Sequence, residues 1–485
     1  MVSVDKTLVL RYVIPFSFSD SYQDLFLRME GNKVWNCCAL PSGKPSVYAH
    51  LYRLNYGGLN DNSIGSTWEY AHRNKLPQLL YTEEKGAAAS KWRISQMQIH
   101  LFHTNVGLAW YELEPMGAPP DLESLIQLQN RFKDCSYTDS YFTIKHSRRS
   151  KEEEDSFAPF DAAKWLGEVL APLGEVQYLN GSCVKDQKDC PDRALIFNYV
   201  LLRSEAPITE KQLQMAAFWL ANGYSRKYRP SDQVLQEGVH PFADVCMYAS
   251  RSGCGYYAVA NEGNQGLLGG NFNDSIRREY FFLYLLTLYQ SFSLMSFSRR
   301  CALEFASDPQ AYSQPDLGSR LDAFVAELNA FLMKGMYSSV SSVQHHNYFY
   351  QYLRSRLMIQ EDIESLKIGT EALAQIQHAR REYEESLLRE QEDAEERQRD
   401  RRQNFALAVL SVFSLVAIFL DLKDLIDKLF TVEWAKVMEL VCEGNEQMIT
   451  QIVVHAAVFA GVAYSVYLLF SSFHTGRKKK NENKK

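Results

Sequence analysis

Apolar and polar residues alternate through TLVLRYVIPF (7–16), QMQIHLFHTNVGLAWYELE (96–114) and ALIFNYVLL (194–202). This period of two predicts half-buried strands, the second folded into a hairpin at Thr104 and Asn105. DVCMYASRSGCGYYAVAN (244–261) alternates in the same way and predicts a further hairpin, turning at Gly253 and Gly255. The period changes in PPDLESLIQLQNRFK (119–133) and FDAAKWLGEVLAPLG (160–174), where apolar residues recur at helical spacing behind proline or aspartate. Strands interleaved with helices predict an α/β (α+β) domain over residues 1–270, with SRRSKEEEDS (147–156) as a solvated loop inside it.

Beyond it the pattern becomes helical. NEGNQGLLGGNFND (261–274) is rich in glycine but lacks the lysine and the serine or threonine of a phosphate loop, so it reads as a flexible connector. SIRREYFFLYLLTLYQSFSLMSFSRR (275–300), capped by Asn273 or Asp274, is long enough to cross a bilayer. Thr287, Gln290, Ser291, Ser293, Ser296 and three tyrosines dilute it, and arginine pairs flank both ends equally, so a buried or subunit-facing helix is expected. A helix near 316–335 and a tyrosine-rich connection (335–356) complete a helical region, 271–358. Ile359, Leu366, Leu373 and Leu387 then repeat every seven residues, with Ile376 and Tyr383 beside them, a stripe suited to packing on a partner helix.

REQEDAEERQRDRRQ (389–403) is nearly all charge and has neither proline nor glycine, so the stalk 359–403 predicts a solvated rod. It runs without a breaker into FALAVLSVFSLVAIFL (405–420), apolar apart from Ser411 and Ser414. A first span with its extension is expected at 404–430, an outer loop at 431–447, a second span at 448–473 and a basic tail at 474–485. Arg397, Arg399, Arg401 and Arg402 precede the first span, and Arg477, Lys478, Lys479, Lys480, Lys484 and Lys485 follow the second. Residues 421–447 hold seven acids against three lysines, which places both termini on the cytoplasmic side of the cell's inner membrane.

At about 100° per residue, Asp400, Asn404, Leu407, Ser411, Ser414, Ile418 and Asp421 fall within about a third of the helix circumference. Unpaired polar groups are costly in lipid, so this stripe should face protein or water, and it makes these seven the candidate pore-lining residues. The competing reading is that the two serines bond back to their own helix's carbonyls or pack against the second span. Asp424, Glu443 and Glu446 are the candidate acids of the outer loop.

Composition narrows the classes further. The chain has 485 residues, 46% of them hydrophobic and 23% charged, which predicts more than one structural unit and a water-soluble majority. A net charge of −6 excludes the basic footprint of a nucleic-acid binder. The nine cysteines lack paired zinc spacing, and the first residues lack a signal peptide's basic end and continuous apolar stretch, so a reducing compartment is expected. His100 and His103 lie three apart on a strand and point to opposite faces, which excludes a shared metal. Neither a nucleophile elbow, a Walker loop nor a zinc-protease motif is present, so an enzyme is not expected and no cofactor is required.

The order of parts resembles the CorA-like family of two-span divalent-cation transporters: a cytoplasmic α/β domain, a long stalk continuous with a pore-lining span, a short outer loop, a second span and a lysine-rich tail. EYFFLYLLTLYQSFSLM (279–295) and GRKKKNENKK (476–485) are the stretches most similar to family members. The resemblance implies a homo-oligomer, a pentamer, embedded in membrane lipid, with a divalent cation as substrate or regulator. The family's Gly-Met-Asn signature is missing: this chain reads FLDLKDLID (419–427) there, so magnesium selectivity does not carry over. Divergent relatives without it include membrane effectors of bacterial antiviral systems, among them CRISPR-associated ones that sense a nucleotide messenger. Three functions stand on this reading: a cation channel or transporter, a ligand-gated defence effector, and a tether whose spans conduct nothing.

Overall fold

The computed structural model describes residues 2–39, 46–83 (except 57 and 60–62), 89–135, 141–145, 157–180, 191–306 and 317–430, with isolated helical positions between 453 and 467. Its strands are β1 (Ser3–Val4), β2 (Val9–Phe18), β3 (Trp35–Cys37), β4 (Gly65–Tyr70), β5 (Gln78–Tyr81), β6 (Ser90–Phe102), β7 (Val106–Pro115), β8 (Phe142–Lys145), β9 (Phe157–Pro159), β10 (Val176–Tyr178), β11 (Leu195–Arg203), β12 (Val239–Phe242), β13 (Val245–Ser250) and β14 (Gly253–Val259). The helices are α1 (Tyr22–Glu30), α2 (Ala49–Asn55), α3 (Leu122–Phe132), α4 (Ala162–Leu170), α5 (Glu210–Asn222), α6 (Asp232–Leu235), α7 (Gln265–Gly269), α8 (Asn271–Ser275), α9 (Phe281–Cys301), α10 (Leu317–Gly335), α11 (Gln344–Arg356) and α12 (Ile359–Phe430). The chain divides into two compact units, Met1–Ala379 and Arg380–Lys485.

In the first unit one sheet runs β12-β13-β14-β11-β2-β7-β6-β5-β8-β9, with the remaining strands paired alongside. Its ladders are antiparallel except that of β11 with β14, which is parallel. Period-two alternation sends neighbouring residues to two separate cores. Leu10, Tyr12 and Ile14, Tyr111 and Leu113, and Ile196 and Val200 face a core shared with α1, α3, α4 and α5. Val9 and Val13, Leu108 and Trp110, and Phe197, Tyr199 and Leu201 face another, built with α9, α10, α11 and the first turns of α12. These strands are therefore buried on both faces rather than half-buried as the alternation predicts, because most of the residues between the expected core positions are themselves apolar.

The hairpin of β6 and β7 turns where expected, with Asn105 at φ 57°. The hairpin of β13 and β14 turns at Arg251 and Ser252 instead, because both glycines are needed inside the strand. A Cβ on Gly253 would stand 2.4 Å from the Ile196 carbonyl oxygen, and one on Gly255 would stand 2.0 Å from Asn198 Oδ1. The glycine-rich 261–274 is largely helical rather than a flexible connector. Buried Leu268 pins it to the sheet, with Tyr199 donating its hydroxyl to the Leu268 carbonyl at 2.8 Å. Helical turns then pass through a π-turn, Ile276–Tyr280, so Asn273 and Asp274 do not cap α9. The tyrosine-rich connection contains α11, whose His346, Phe349, Tyr350 and Leu353 form a buried face at helical spacing.

α9 is buried on every side along Phe281–Gln290, as a core helix must be when it is apolar all round. Three of its diluting polar side chains find partners there. Gln290 Nε2 donates to the Gly335 carbonyl and Tyr350 hydroxyl at 2.7 and 2.8 Å, Thr287 Oγ1 donates to the Tyr284 carbonyl at 2.8 Å, and Ser293 Oγ meets Thr104 Oγ1 at 2.8 Å. The heptad stripe divides: Ile359 and Leu366 are buried in the unit's own second core and Leu373 packs half-buried against it, whereas Ile376, Tyr383 and Leu387 are exposed.

Candidate membrane helix and a buried ion cluster

Two helices among the described residues are long and apolar enough to cross a membrane, Gln265–Phe305 and Ile359–Asp424. Their surroundings separate them: 72% of the first one's most apolar window is buried in protein, and none of the second's. α12 stays helical from Ile359 to Phe430, and the charged residues 389–403 within it are exposed throughout. Phe405, Leu407, Val409, Leu410, Val412, Phe413, Leu415, Val416, Ile418, Phe419 and Leu420 follow, exposed by 36 to 71% and distributed around the whole circumference.

The seven stripe residues all lie on this one helix and all are exposed. Helical rotation lines them on one face, with Asp400 and Asn404 at one end and Asp421 at the other. At about 1.5 Å per residue the two aspartates are about 31 Å apart along the axis, close to the thickness of a hydrocarbon core. Ser411 Oγ donates to the Leu407 carbonyl at 2.7 Å, so one stripe hydroxyl is satisfied within its own helix. Asp424 continues the helix beyond Asp421 and is exposed. Glu443 and Glu446 lie outside the described residues, as do the outer loop, most of the second span and the basic tail.

A second cluster of charge sits at the sheet centre, where sequence reading did not single it out. Arg11 and Glu112 face each other in the β2–β7 register, both buried, with Nε donating to Oε2 at 2.8 Å. Arg277, on the π-turn before α9, pairs with the same carboxylate and donates from Nη2 to the Leu8 carbonyl at 3.2 Å. Arg11 also donates to the Arg277 carbonyl at 2.8 Å and packs on the rings of Trp110 and Phe281. Burial alone would raise the Glu112 carboxyl, but the two guanidiniums hold it below the usual carboxylate value, while burial lowers Arg11. The signal was present: a single arginine within the apolar run of β2, and in β7 a glutamate, Glu112, set among buried apolar residues before the half-exposed Glu114 at the strand's end. Because every member is tied to backbone or to another ion, the cluster anchors the helical layer to the sheet.

His100 and His103 take separate partners. His100 is buried, its Nδ1 at 2.9 Å from Thr67 Oγ1 and its Nε2 accepting from Trp110 Nε1 at 3.2 Å. Accepting at Nε2 requires the neutral ring, and burial lowers its pKa to about 3. His103 stacks on Tyr22 and meets Ser63 Oγ at 3.1 Å. Among the described residues no group of three or more histidine, cysteine, aspartate or glutamate side chains is arranged to hold a metal ion.

Set against family models, curated proteins and solved structures, the chain matches none.

Proposed function

We propose that this protein is an oligomeric, CorA-like membrane protein whose first span lines a path for cations, under the control of its sheet domain. The observation that carries the reading is the run of eleven large apolar side chains exposed on every side of α12. Leaving such a side chain in water forgoes about 1.5–3 kcal/mol, so eleven forgo on the order of 15–30 kcal/mol, more than the whole stability of a typical domain. Only lipid, or lipid together with other copies of the helix, removes that cost all round. Both termini then lie on the cytoplasmic face of the inner membrane, where the arginines and the basic tail belong.

The polar stripe favours conduction. An isolated copy would leave Asn404 and two serines against lipid, and assembly turns them inward. Rings of Asp400 and Asp421 at the two mouths, with the acids of the outer loop above, would concentrate cations and reject anions. The resemblance supplies five as the subunit number and a divalent cation as cargo. Reconstitution in liposomes tests this: cation flux is expected, with cation-over-anion selectivity reduced by Asp421→Asn and little changed by Asp427→Asn. Equal selectivity in all three would remove Asp421 from the ion path.

One observation favours the tether as a second reading. With its hydroxyl bonded to the Leu407 carbonyl, Ser411 needs neither water nor a partner. Under that reading the liposomes hold their gradients and mild-detergent mass measurements find a monomer.

A further inference from the structure

The four arginines before the span pose a problem for a cation path, since a basic ring at its mouth would repel the cargo. Their placement on the helix resolves it. Arg397, Arg399, Arg401 and Arg402 are all exposed. At about 100° per residue the stripe members lie within about 50° of the stripe's centre, whereas the four arginines lie about 70°, 90°, 110° and 150° from it. The face left without arginine is the one that carries Asp400 and Asn404 and continues into the span.

Charge is sorted along the axis as well. At about 1.5 Å per residue, Arg402 to Arg397 stand about 5–12 Å before Phe405, the first apolar residue, within a long side chain's reach of the headgroup layer. Glu396, Glu395, Asp393, Glu392 and Glu390 stand about 14–22 Å before it, far enough for physiological salt to screen them from the bilayer surface. The basic turn meets the headgroups, and the acidic turns are held off.

We propose that Arg397, Arg399, Arg401 and Arg402 form a lipid-facing collar that binds the phosphate groups of anionic phospholipids, leaving Asp400 and Asn404 as the charged and polar groups that face the path. The proposal rests on the reading of α12 as a span. It names the lipid partner, and it makes the collar a device that fixes the helix in depth and rotation.

The test uses the full chain reconstituted in vesicles of phosphatidylcholine alone and of about three parts phosphatidylcholine to one of phosphatidylglycerol. Spin-labelled lipids report which species occupies the protein's first lipid shell. The expected result is a phosphatidylglycerol preference of about fivefold per arginine–headgroup pair, weakened by salt. The variant Arg397→Gln/Arg399→Gln/Arg401→Gln/Arg402→Gln should lose most of it, in the full chain and in a chain ending at Gly476, which removes the tail's own basic charge. Arg389→Gln, about 24 Å before Phe405, should leave it unchanged. An unchanged preference in the fourfold variant overturns the collar while leaving the span intact. A chain extracted by alkali from both kinds of vesicle overturns the span itself, and the collar with it.

Discussion

Phe413 and Ser414 are neighbours at almost the same depth, about halfway between Arg402 and Asp421, yet they point about 100° apart around α12. Phe413 lies about 130° from the centre of the polar stripe, and Ser414 belongs to the stripe. Replacing each by aspartate therefore holds depth constant and varies only what the side chain faces. On an insertion scale, phenylalanine at the helix centre contributes about −0.3 to −0.6 kcal/mol and aspartate about +2.5 to +3.5. Phe413→Asp should cost about 3–4 kcal/mol, which lowers the inserted fraction by two to three orders of magnitude at equilibrium. Ser414→Asp, facing a wet path, should cost about 1 kcal/mol or less, because its carboxylate keeps water. The assay is the alkali-resistant fraction of full-length chain after synthesis into membranes, calibrated with the unsubstituted sequence. Equal losses in the two variants would refute the reasoning, since the stripe would then be as lipid-exposed as its opposite face.

Glu112→Gln should destabilise the protein by about 3–5 kcal/mol in urea titration, by leaving Arg11 buried without its counter-charge, whereas replacing Arg11, Glu112 and Arg277 together by apolar residues should cost much less. A neutral Glu112→Gln would show that the cluster is not an anchor. His100 has a folded pKa of about 3, below its ordinary 6.5, so the unfolded chain binds the proton more readily; its contribution is full above about pH 6.5 and is lost as pH falls towards 3. Between about pH 7.5 and 5 the unsubstituted protein should lose about 2 kcal/mol more than His100→Gln, and parallel pH profiles would contradict this. Two prolines inserted near Glu392 should break the rod and abolish any control of flux from the sheet domain; if flux and its control survive, the rod is a spacer only.

Legibility in the sequence followed how local the deciding interaction was. The hairpin at Thr104 and Asn105, the strands from Val9 and Leu195, and α3 with its Asp121 cap all depend on neighbours in sequence, and their patterns located them. Gly253 and Gly255 misled because their role is set by Ile196 and Asn198 across a ladder, some sixty residues away. α11 was hidden by its tyrosines, which read as a connection although Phe349, Tyr350 and Leu353 already had helical spacing. The charge cluster joins Arg11, Glu112 and Arg277, a closure over more than 260 residues that no window contains. The stripe on α12 was fully readable, since rotation along one helix is arithmetic; what covers it is, under the proposed function, other copies and lipid, which no pattern within one helix specifies.

The layer that covers the sheet's second face comes late in the chain, from α9 to the first turns of α12. The cover over Val9, Val13, Phe197 and Tyr199 begins with Leu268, Phe272 and α9, and the core it closes is complete only once Leu366 has left the ribosome. About forty further residues separate Leu366 from Phe405, and at about 5–20 residues per second they take about 2–8 s to synthesise. Local helices form in microseconds and mixed sheets close in milliseconds to seconds, so the sheet-bearing unit can shut before the apolar helix appears. The charged stretch between them is thus an interval as well as a rod. It keeps two apolar surfaces of one polypeptide from being exposed at the same moment.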